Sequence, residues 1–489
     1  MEKKIALSRY VDAKSVTKKL DDLIKQPIYS ISDAALKRYE NEYFDKKCVK
    51  SRQMIAKAQD IIPGGVQHNL AFNYPFPLVF TGAKDHTLTD LDGNEYYDFL
   101  QSGGPTVLGS NPDAVKTKVF ELLENCGPST GLFHEYEYLL GAKIAECMPS
   151  VDMFRMYTSG TEACMVAARV ARLATKKKNI VKMGGAYHGW SDQLAYGIRI
   201  PGTKGLQSPG IPGFCFKKTR EFFPNDLNNL ERVLRGNILK GGTAAVFVEP
   251  IGPESGTRPV DKDFNKGVEA LCGKYGALLV FDEVVTGFRM GMSGAQGYFG
   301  VYPDLTVFGK VIAGGYPGAG GLGGRREYMK FLGAGLDGGG KKALSGGTLA
   351  ATPLSCVAGY TTLCEMERTD ACAKANQMGD YLTDGLNVLI DKRKLPFVAY
   401  NVGSICHLDT LGTMHYAINW GKLWQIPGIL KATSARKREM EYMGAAYMAE
   451  GLVTLAGNRL YTNATYAKKD IDDVLSRFDR VFDHIVVKG

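Results

Sequence analysis

The chain has 489 residues, of which 45% are apolar and 23% are charged, as expected for a globular protein with one large and one smaller domain. Its formal charge of +9 is small for this length, and no basic segment is interleaved with aromatic residues, so nucleic-acid binding has no support. No run of 18 apolar residues predicts a membrane-spanning helix. Ten cysteines stand singly, without a CxxC pair, which indicates reduced thiols in a cytoplasmic protein and no metal site.

The first 61 residues are predicted to form a helical N-terminal extension. Residues 15–26 and 32–62 carry apolar side chains at helical spacing, and Ser15 and Ser32 are candidate N-caps. Nothing in this extension suggests chemistry, so we expect a role in packing or in a dimer contact. Residues 62–112 form the N-terminal part of a small domain, with strands that alternate around a turn at residues 92–94.

From residue 113 to residue 369 helix and strand patterns alternate, which predicts a large α/β domain with a mainly parallel, doubly wound sheet. The clearest predicted elements of this domain are helices 114–125 and 135–147 and strands 153–157 and 179–183. Residues 332–348 are rich in glycine and are interpreted as a disordered linker or a mobile lid.

Residues 370–489 are predicted to complete a smaller α+β domain that is built from the N- and C-terminal segments. Its predicted elements are strands 398–402 and 405–408 and a final helix over 471–487.

Two short apolar runs end in residues that can do chemistry. The run 277–281 ends in Asp282 and Glu283, and the run 305–308 ends in Gly309 and Lys310. Short apolar runs of this kind predict buried parallel strands, and ligands bind at the carboxyl ends of such strands. An enzyme that uses pyridoxal phosphate needs an amine for the aldehyde and a carboxylate that keeps the pyridine nitrogen protonated. A solvated lysine and a pair of helix-capping acids remain the structural alternative.

Two further segments suit the same cofactor. Ser159, Gly160 and Thr161 lie between a predicted strand and a predicted helix, where backbone N–H groups and two hydroxyls can bind a phosphate. An ordinary N-cap explains the same residues. Tyr187 follows another predicted strand and can lie flat against a heteroaromatic ring, although a half-buried loop tyrosine is an equal alternative.

Six motifs occur in one order along the chain: SGTEA at Ser159, YHGW at Tyr187, VEP at Val248, FDEVVTGFR at Phe281, GAQGYFGVYPDLTVFGKVIAGG at Gly294 and GGTLAATPL at Gly346. Together they resemble the class III (fold type I) pyridoxal-phosphate-dependent aminotransferases. Within this family the glutamate-1-semialdehyde aminomutase branch is the most similar. The resemblance covers residues 62–483 and therefore implies the fold and the cofactor of the family.

The resemblance also implies roles for individual residues. Lys310 would hold the cofactor as a Schiff base and then move a proton during catalysis. Asp282 would bind the pyridinium nitrogen. Val284 would pack on one face of the ring, and Tyr187 would stack on the other face, near His188.

The phosphate of the cofactor would be bound by Ser159, Gly160 and Thr161, again by resemblance to the family. Thr348 would add a hydroxyl from the neighbouring subunit. This last contact implies a homodimer with shared active sites.

The substrate pocket departs from that of the aminomutases. Residues 67–73 lack the arginine that grips the substrate carboxylate there, and Gly103 replaces a bulky tryptophan. Glu254 stands where an asparagine is usual, and Arg459 is a candidate partner for it. The alternatives are a solvated surface pair, or a Glu254 that contacts a substrate ammonium.

Three functions follow from this sequence. The first is an aminotransferase that moves an amino group from an amino acid or amine to a keto or aldehyde acceptor in a ping-pong cycle. The second is an isomerase, either an aminomutase or an amino-acid racemase, which a lid over 332–348 would suit. The missing arginine and Gly103 weigh against the glutamate-1-semialdehyde reaction itself. The third is a non-catalytic regulator that binds the cofactor, but no helix-turn-helix segment accompanies the fold.

Overall fold

A computed structural model describes residues 6–335 and 340–488. The helices are α1 (Ala13–Leu23), α2 (Asp33–Tyr39), α3 (Asp45–Lys47), α4 (Val49–Gln59), α5 (Asp113–Asn125), α6 (Glu135–Cys147), α7 (Gly160–Thr175), α8 (Leu227–Asn237), α9 (Pro253–Gly256), α10 (Phe264–Tyr275), α11 (Gly294–Phe299), α12 (Arg326–Met329), α13 (Pro353–Thr369), α14 (Ala371–Arg393), α15 (Ile426–Ala449) and α16 (Lys468–Phe482). The strands are β1 (Tyr29–Ile31), β2 (Phe80–Lys84), β3 (Thr87–Asp90), β4 (Glu95–Asp98), β5 (Met153–Tyr157), β6 (Asn179–Met183), β7 (Thr219–Phe222), β8 (Thr243–Val248), β9 (Leu278–Asp282), β10 (Leu305–Gly309), β11 (Gly320–Gly324), β12 (Val398–Val402), β13 (Ile405–Asp409), β14 (Leu452–Val453), β15 (Arg459–Tyr461) and β16 (Ile485–Val487).

The chain folds into two compact units, and neither is continuous in sequence. Unit 1 comprises the described residues of Met1–Lys14, Asp113–Cys372 and Ala417–Leu423. Unit 2 comprises those of Ser15–Pro112, Ala373–Tyr416 and Trp424–Gly489. The separate domain roles assigned above to residues 1–61, 62–112, 113–369 and 370–489 stay predictions.

Unit 1 is built on a seven-stranded sheet with the order β5-β11-β10-β9-β8-β6-β7. The five strands from β10 to β7 run parallel, and β11 is antiparallel to both of its neighbours. The predicted α/β fold with a mainly parallel sheet is therefore confirmed. Every residue of β8, β9 and β10 is buried, as expected for central strands that are covered on both faces.

Helix α7 packs on this sheet through small side chains. Ala163, Ala167 and Ala171 recur at a spacing of four residues, and all three are fully buried in the core of unit 1. Because alanine is small, the helix can lie close to the strands, which brings its first turn to the carboxyl ends of β9 and β10.

The N-terminal segment of the described chain also belongs to unit 1. Tyr10 packs edge-on against Phe299, with 5.4 Å between the ring centroids, and its hydroxyl donates to the Val260 carbonyl at 2.9 Å. Burial raises the pKa of the Tyr10 phenol well above its ordinary value. This tyrosine therefore stays a neutral hydrogen-bond donor.

Unit 2 contains three smaller sheets, with the orders β14-β4-β3-β2, β12-β13-β15 and β1-β16. Its core joins residues from both ends of the chain, among them Leu36, Phe44, Ile471 and Phe478. The predicted meander with its turn at 92–94 is confirmed by β2, β3 and β4. The predicted strands 398–402 and 405–408 are confirmed as β12 and β13.

Two local predictions are wrong, and one region is only partly described. Ser15 lies inside α1 and is not its N-cap, whereas Ser32 does cap α2 and accepts a hydrogen bond from the Ala35 N–H. The predicted helix 471–487 ends at Phe482, and its last residues form β16, which pairs with β1. Residues 336–339 of the glycine-rich segment lie outside the described residues, so the lid stays a prediction.

Among the described helices, none has the length and apolarity required to cross a bilayer.

Candidate active site

Two neighbouring strands bring Asp282 and Lys310 to the same edge of the unit 1 sheet. Strands β9 and β10 are parallel, and their register pairs Asp282 with Val307, three residues before Lys310. Lys310 begins a 3₁₀ turn and has a φ of +49°. Its side chain is half-buried, and its amine makes no hydrogen bond or ion pair with any residue of 6–335 or 340–488. The site thus contains an amine with no protein partner among the described residues.

The Asp282 carboxylate is buried and hydrogen-bonded. Its Oδ2 lies 2.7 Å from Nδ1 of His188, and its Oδ1 accepts from the Val284 N–H at 3.1 Å. Because a carboxylate can only accept, Nδ1 of His188 is the donor in this pair. Burial lowers the pKa of His188, although the bond to Asp282 opposes this effect. The opposite nitrogen, Nε2, is buried and has no partner among the described residues.

Cys164 completes a small buried cluster around Asp282. Its Sγ lies 3.6 Å from the Asp282 carboxylate. One ligand atom each from Cys164, His188 and Asp282 falls within 4.8 Å of the others, a spacing that can hold a metal ion. Burial and the neighbouring Asp282 raise the pKa of the Cys164 thiol well above its ordinary value, which disfavours the thiolate that binds metals.

The first turn of α7 lies at the same edge. The Ser159 side chain caps the helix by accepting a hydrogen bond from the Glu162 N–H at 3.3 Å. The backbone N–H groups of Gly160 and Thr161 belong to this first turn, where no preceding helical carbonyl can accept from them. Such groups and the dipole of the helix attract anions.

Three glycines let backbone and side chains come close around this turn. A Cβ on Gly189 would lie 2.3 Å from Oγ1 of Thr161, and Gly189 has a φ of +82°. A Cβ on Gly160 or on Gly309 would lie 2.9 Å from a methyl group of Val284. Val284 therefore lies between the helix start and the strand that carries Lys310.

Tyr187 is 46% exposed. Its backbone N–H donates to Oε1 of Glu249 at 3.0 Å. Burial raises the pKa of the Tyr187 phenol, and the charge of Glu254 raises it further. The aromatic ring predicted for this edge is thus present and neutral.

Comparison with known proteins identifies the family. The family described as aminotransferase class-III matches residues 71–478. The chain belongs to the class-III aminotransferase family. Members of this family use pyridoxal 5′-phosphate, so the family and the cofactor expected from the sequence are confirmed.

Several curated relatives of this class-III family member are named as aminomutases. The glutamate-1-semialdehyde 2,1-aminomutase of Legionella pneumophila (strain Philadelphia 1) is 39% identical over 380 residues, which cover 75% of the chain and 85% of the relative. The glutamate-1-semialdehyde 2,1-aminomutase 2 of Lachnoclostridium phytofermentans is 36% identical over 364 residues, which cover 73% and 83%.

Solved structures show the same fold at lower identity. A β-phenylalanine aminotransferase from Variovorax paradoxus has a TM-score of 0.78 and 24% identity, with 92% of this chain and 97% of that chain covered. A glutamate-1-semialdehyde aminomutase from Pseudomonas aeruginosa PAO1 has a TM-score of 0.76 and 22% identity, with 96% and 98% covered. The fold type I assignment is confirmed.

Two buried charged residues of this family member were missed in the sequence. Glu249 follows β8 and accepts hydrogen bonds from the N–H groups of Tyr187, Glu254 and Ser255 at 2.7–3.0 Å. Burial raises the pKa of Glu249 to about 8. An acid directly after an apolar strand, the pattern that revealed Asp282, is the signal that could have found it.

Lys182 is the second missed residue. It is fully buried in β6, and its amine donates to the carbonyls of Ala186 and Tyr196, both at 2.7 Å. Burial lowers the pKa of Lys182 to about 8. The lysine therefore fixes both ends of the loop that carries Tyr187 and His188. A lysine in an otherwise apolar strand was the available signal.

The remaining predicted site residues fall in both units, and Glu254 is joined to the site through its N–H bond to Glu249. Glu254 lies in unit 1 in a left-handed conformation, with a φ of +50°. Gly103 and Arg459 lie in unit 2, at the end of a 3₁₀ turn and at the start of β15. The pairing of Glu254 with Arg459 stays a prediction. Thr348 is exposed on unit 1.

Proposed function

We propose that this protein is a pyridoxal-phosphate-dependent aminotransferase, which moves an amino group between an amino acid or amine and a keto or aldehyde acceptor. One observation carries the proposal: the Lys310 amine, which has no partner among the described residues, directly follows the strand beside the one that ends in Asp282, and Asp282 is bonded to the buried His188. A surface lysine and a capping acid would not need a buried imidazole behind them.

The described residues match the three parts of the cofactor. The first turn of α7, with Ser159, Gly160 and Thr161, supplies N–H groups and hydroxyls for a phosphate. Val284 offers a methyl surface between two glycines for one ring face, and the exposed ring of Tyr187 suits the other.

Asp282 supplies the negative charge that a protonated pyridine nitrogen needs, and it is less than one-tenth exposed. His188 orients this carboxylate from its rear through the 2.7 Å hydrogen bond. Because burial lowers the pKa of His188, the imidazole stays neutral and does not cancel the charge of Asp282.

Bound pyridoxal phosphate supplies an aldehyde that captures amines and a ring that withdraws electrons from the adjacent bonds. Nζ of Lys310 would be the group that holds this aldehyde. The Lys310 amine, when free, would be the base that accepts a proton from a substrate carbon and the acid that returns it. Aminotransfer and isomerisation share this step.

An aminomutase is the second candidate, because the curated relatives at 36–39% identity carry that name. Residues 67–73 without an arginine and the glycine at position 103 remain the arguments against the glutamate-1-semialdehyde reaction in particular. An amino-acid racemase would use the same Lys310 chemistry.

We also propose a homodimer in a reducing, cytoplasmic setting. Unit 1 exposes Leu132 and Phe133, each 78% accessible, beside a cavity of about 270 Å³ that is also lined by Thr348. An apolar surface of this kind next to a site residue supports contact with a second copy of the chain. The ten cysteines all lie among the described residues and form no disulfide there, which supports the reducing setting. Phe133→Asp should give monomers in sedimentation experiments. A variant that remains a dimer would show that the surface around Phe133 is not the dimer contact.

The deciding experiment mixes the purified holoenzyme with a panel of amines and amino acids, without an acceptor. Stoichiometric loss of the visible cofactor band together with one equivalent of keto product would establish aminotransfer. Catalytic conversion of a substrate to an isomer would establish the aminomutase or racemase instead. If no compound changes the visible cofactor band and none is consumed, the proposed enzymatic activity is refuted.

A further inference from the structure

Arg199 lies beside the candidate active site, on a segment that runs along the Tyr187 loop. The Gly185 N–H donates to the Gly197 carbonyl at 2.7 Å, and the Arg199 N–H donates back to the Gly185 carbonyl at 2.9 Å. Gly185 precedes Tyr187 by two residues. The backbone of Arg199 is therefore fixed next to the start of the loop that carries the stacking tyrosine.

Two ionisable side chains, the buried Lys182 and the partly buried Glu221, also hold this segment in place. Lys182 donates to the Tyr196 carbonyl, and Glu221 accepts from the N–H groups of Gly202 and Lys204 at 3.0 and 3.2 Å. These contacts bracket Arg199 on both sides in sequence. The position of its Cα is thus set by the fold rather than by its own side chain.

The side chain of Arg199 has no structural role that the described residues reveal. It is exposed, and its guanidinium makes no hydrogen bond or ion pair with any residue of 6–335 or 340–488. Its backbone has a φ of +61°, a conformation that glycine adopts at lower cost. A strained residue with an uncommitted charge at the rim of a site suggests a ligand contact.

Arg199 and Glu254 have opposite effects on the pKa of the Tyr187 hydroxyl. Burial raises this pKa most, the negative charge of Glu254 raises it further, and the positive charge of Arg199 lowers it. Both charges therefore lie within electrostatic range of the exposed ring edge of Tyr187. The positive charge is the one that attracts an anion arriving over this ring.

We propose that Arg199 binds the carboxylate of an amino-acid substrate and so replaces the arginine that residues 67–73 lack. This inference rests on the proposed function, since it names the substrate class of the same site. The planar guanidinium offers two parallel N–H groups to a carboxylate, a geometry that an ammonium cannot provide. The enzyme should therefore prefer amino acids to simple amines.

The test compares amino acids with amines in which a methyl group replaces the carboxylate: glycine with ethylamine, β-alanine with propylamine, and 4-aminobutanoate with butylamine. The rate at which each compound removes the visible cofactor band of the holoenzyme is measured without an acceptor. Arg199→Gln should slow the reactive amino acid roughly tenfold to a hundredfold and leave its amine counterpart unchanged. Arg199→Gly, which relieves the left-handed backbone, should do the same.

A second measurement does not depend on turnover. Butanoate, which has no amine, is titrated into the holoenzyme by calorimetry, and Arg199→Gln should weaken its binding by the same factor. Arg232→Gln, on the exposed face of α8, is the matched control for loss of a positive charge and should change neither measurement.

Equal slowing of amino acids and amines, or butanoate binding that is absent or insensitive to Arg199→Gln, would overturn the inference. If neither the six compounds nor any other amine or amino acid of the panel above changes the cofactor band, the proposed function fails independently of Arg199. The butanoate titration still decides the role of Arg199 in that case.

Discussion

Replacing Lys182 by methionine should change how stability depends on pH. Lys182 is completely buried, and burial lowers the pKa of its ammonium from 10.5 to about 8. Below pH 8 the folded and the unfolded chain both carry this proton, so the folded state bears the full cost of the buried charge. Between about pH 8 and 10.5 only the unfolded chain keeps the proton, and wild-type stability therefore rises with pH.

The size of this effect follows from the shift. The pKa of Lys182 is about 2.5 lower in the folded chain, at about 8, than the ordinary value of 10.5. At about 1.36 kcal/mol for each pKa unit, this difference changes the free energy of unfolding by about 3 kcal/mol in total. About 2 kcal/mol of this total falls between pH 8 and pH 10. Lys182→Met has no proton to lose, so its free energy of unfolding should lack this gain.

Urea unfolding of wild type and variant at pH 7, 8, 9 and 10 measures the difference. Lys217→Met, which removes an exposed lysine of the same unit, controls for loss of a charge and should follow the wild type. At pH 10, where the wild-type lysine is neutral and still donates, the variant should be less stable, because the carbonyls of Ala186 and Tyr196 lose their donor. Parallel pH curves for wild type and Lys182→Met would refute the reasoning.

Three more substitutions test single contacts. Gly189→Ala would place a Cβ 2.3 Å from Thr161 Oγ1 at a φ of +82°, so it should cost roughly 2–4 kcal/mol of unfolding free energy in urea titrations. Gly236→Ala, with open space around it, is the control, and equal effects would contradict the steric argument. Lys310→Ala should abolish covalent retention of the cofactor after borohydride reduction and dialysis, and a band that persists would remove the central assignment. Tyr10→Phe should cost about 1 kcal/mol in thermal unfolding through its lost hydrogen bond, and an unchanged midpoint would show that this contact contributes nothing.

The strands that carry the proposed chemistry were predictable because their signal is local. The apolar runs before Asp282 and Lys310 became β9 and β10, and the strand predicted at 179–183 became β6 with the same ends. Each of these strands is buried on both faces, so its composition alone identifies it.

Other features depend on partners that are distant in sequence. The last turn predicted for the C-terminal helix is strand β16, because its backbone pairs with β1 more than 450 residues earlier. Lys182 was overlooked since its two acceptor carbonyls follow it in an irregular loop that has no periodicity. The position of Arg199 beside the Tyr187 loop was overlooked for the same reason, since it depends on a backbone hydrogen bond to Gly185.

The division of the chain has a consequence for the order of synthesis. The core of unit 2 joins Leu36 and Phe44 with Ile471 and Phe478, so it cannot close until the ribosome has made nearly the whole chain. Unit 1 has its sheet complete by residue 324 and can form first. The apolar residues of the early helices must therefore wait, exposed, for their partners, and this is the period in which a chaperone would be needed most.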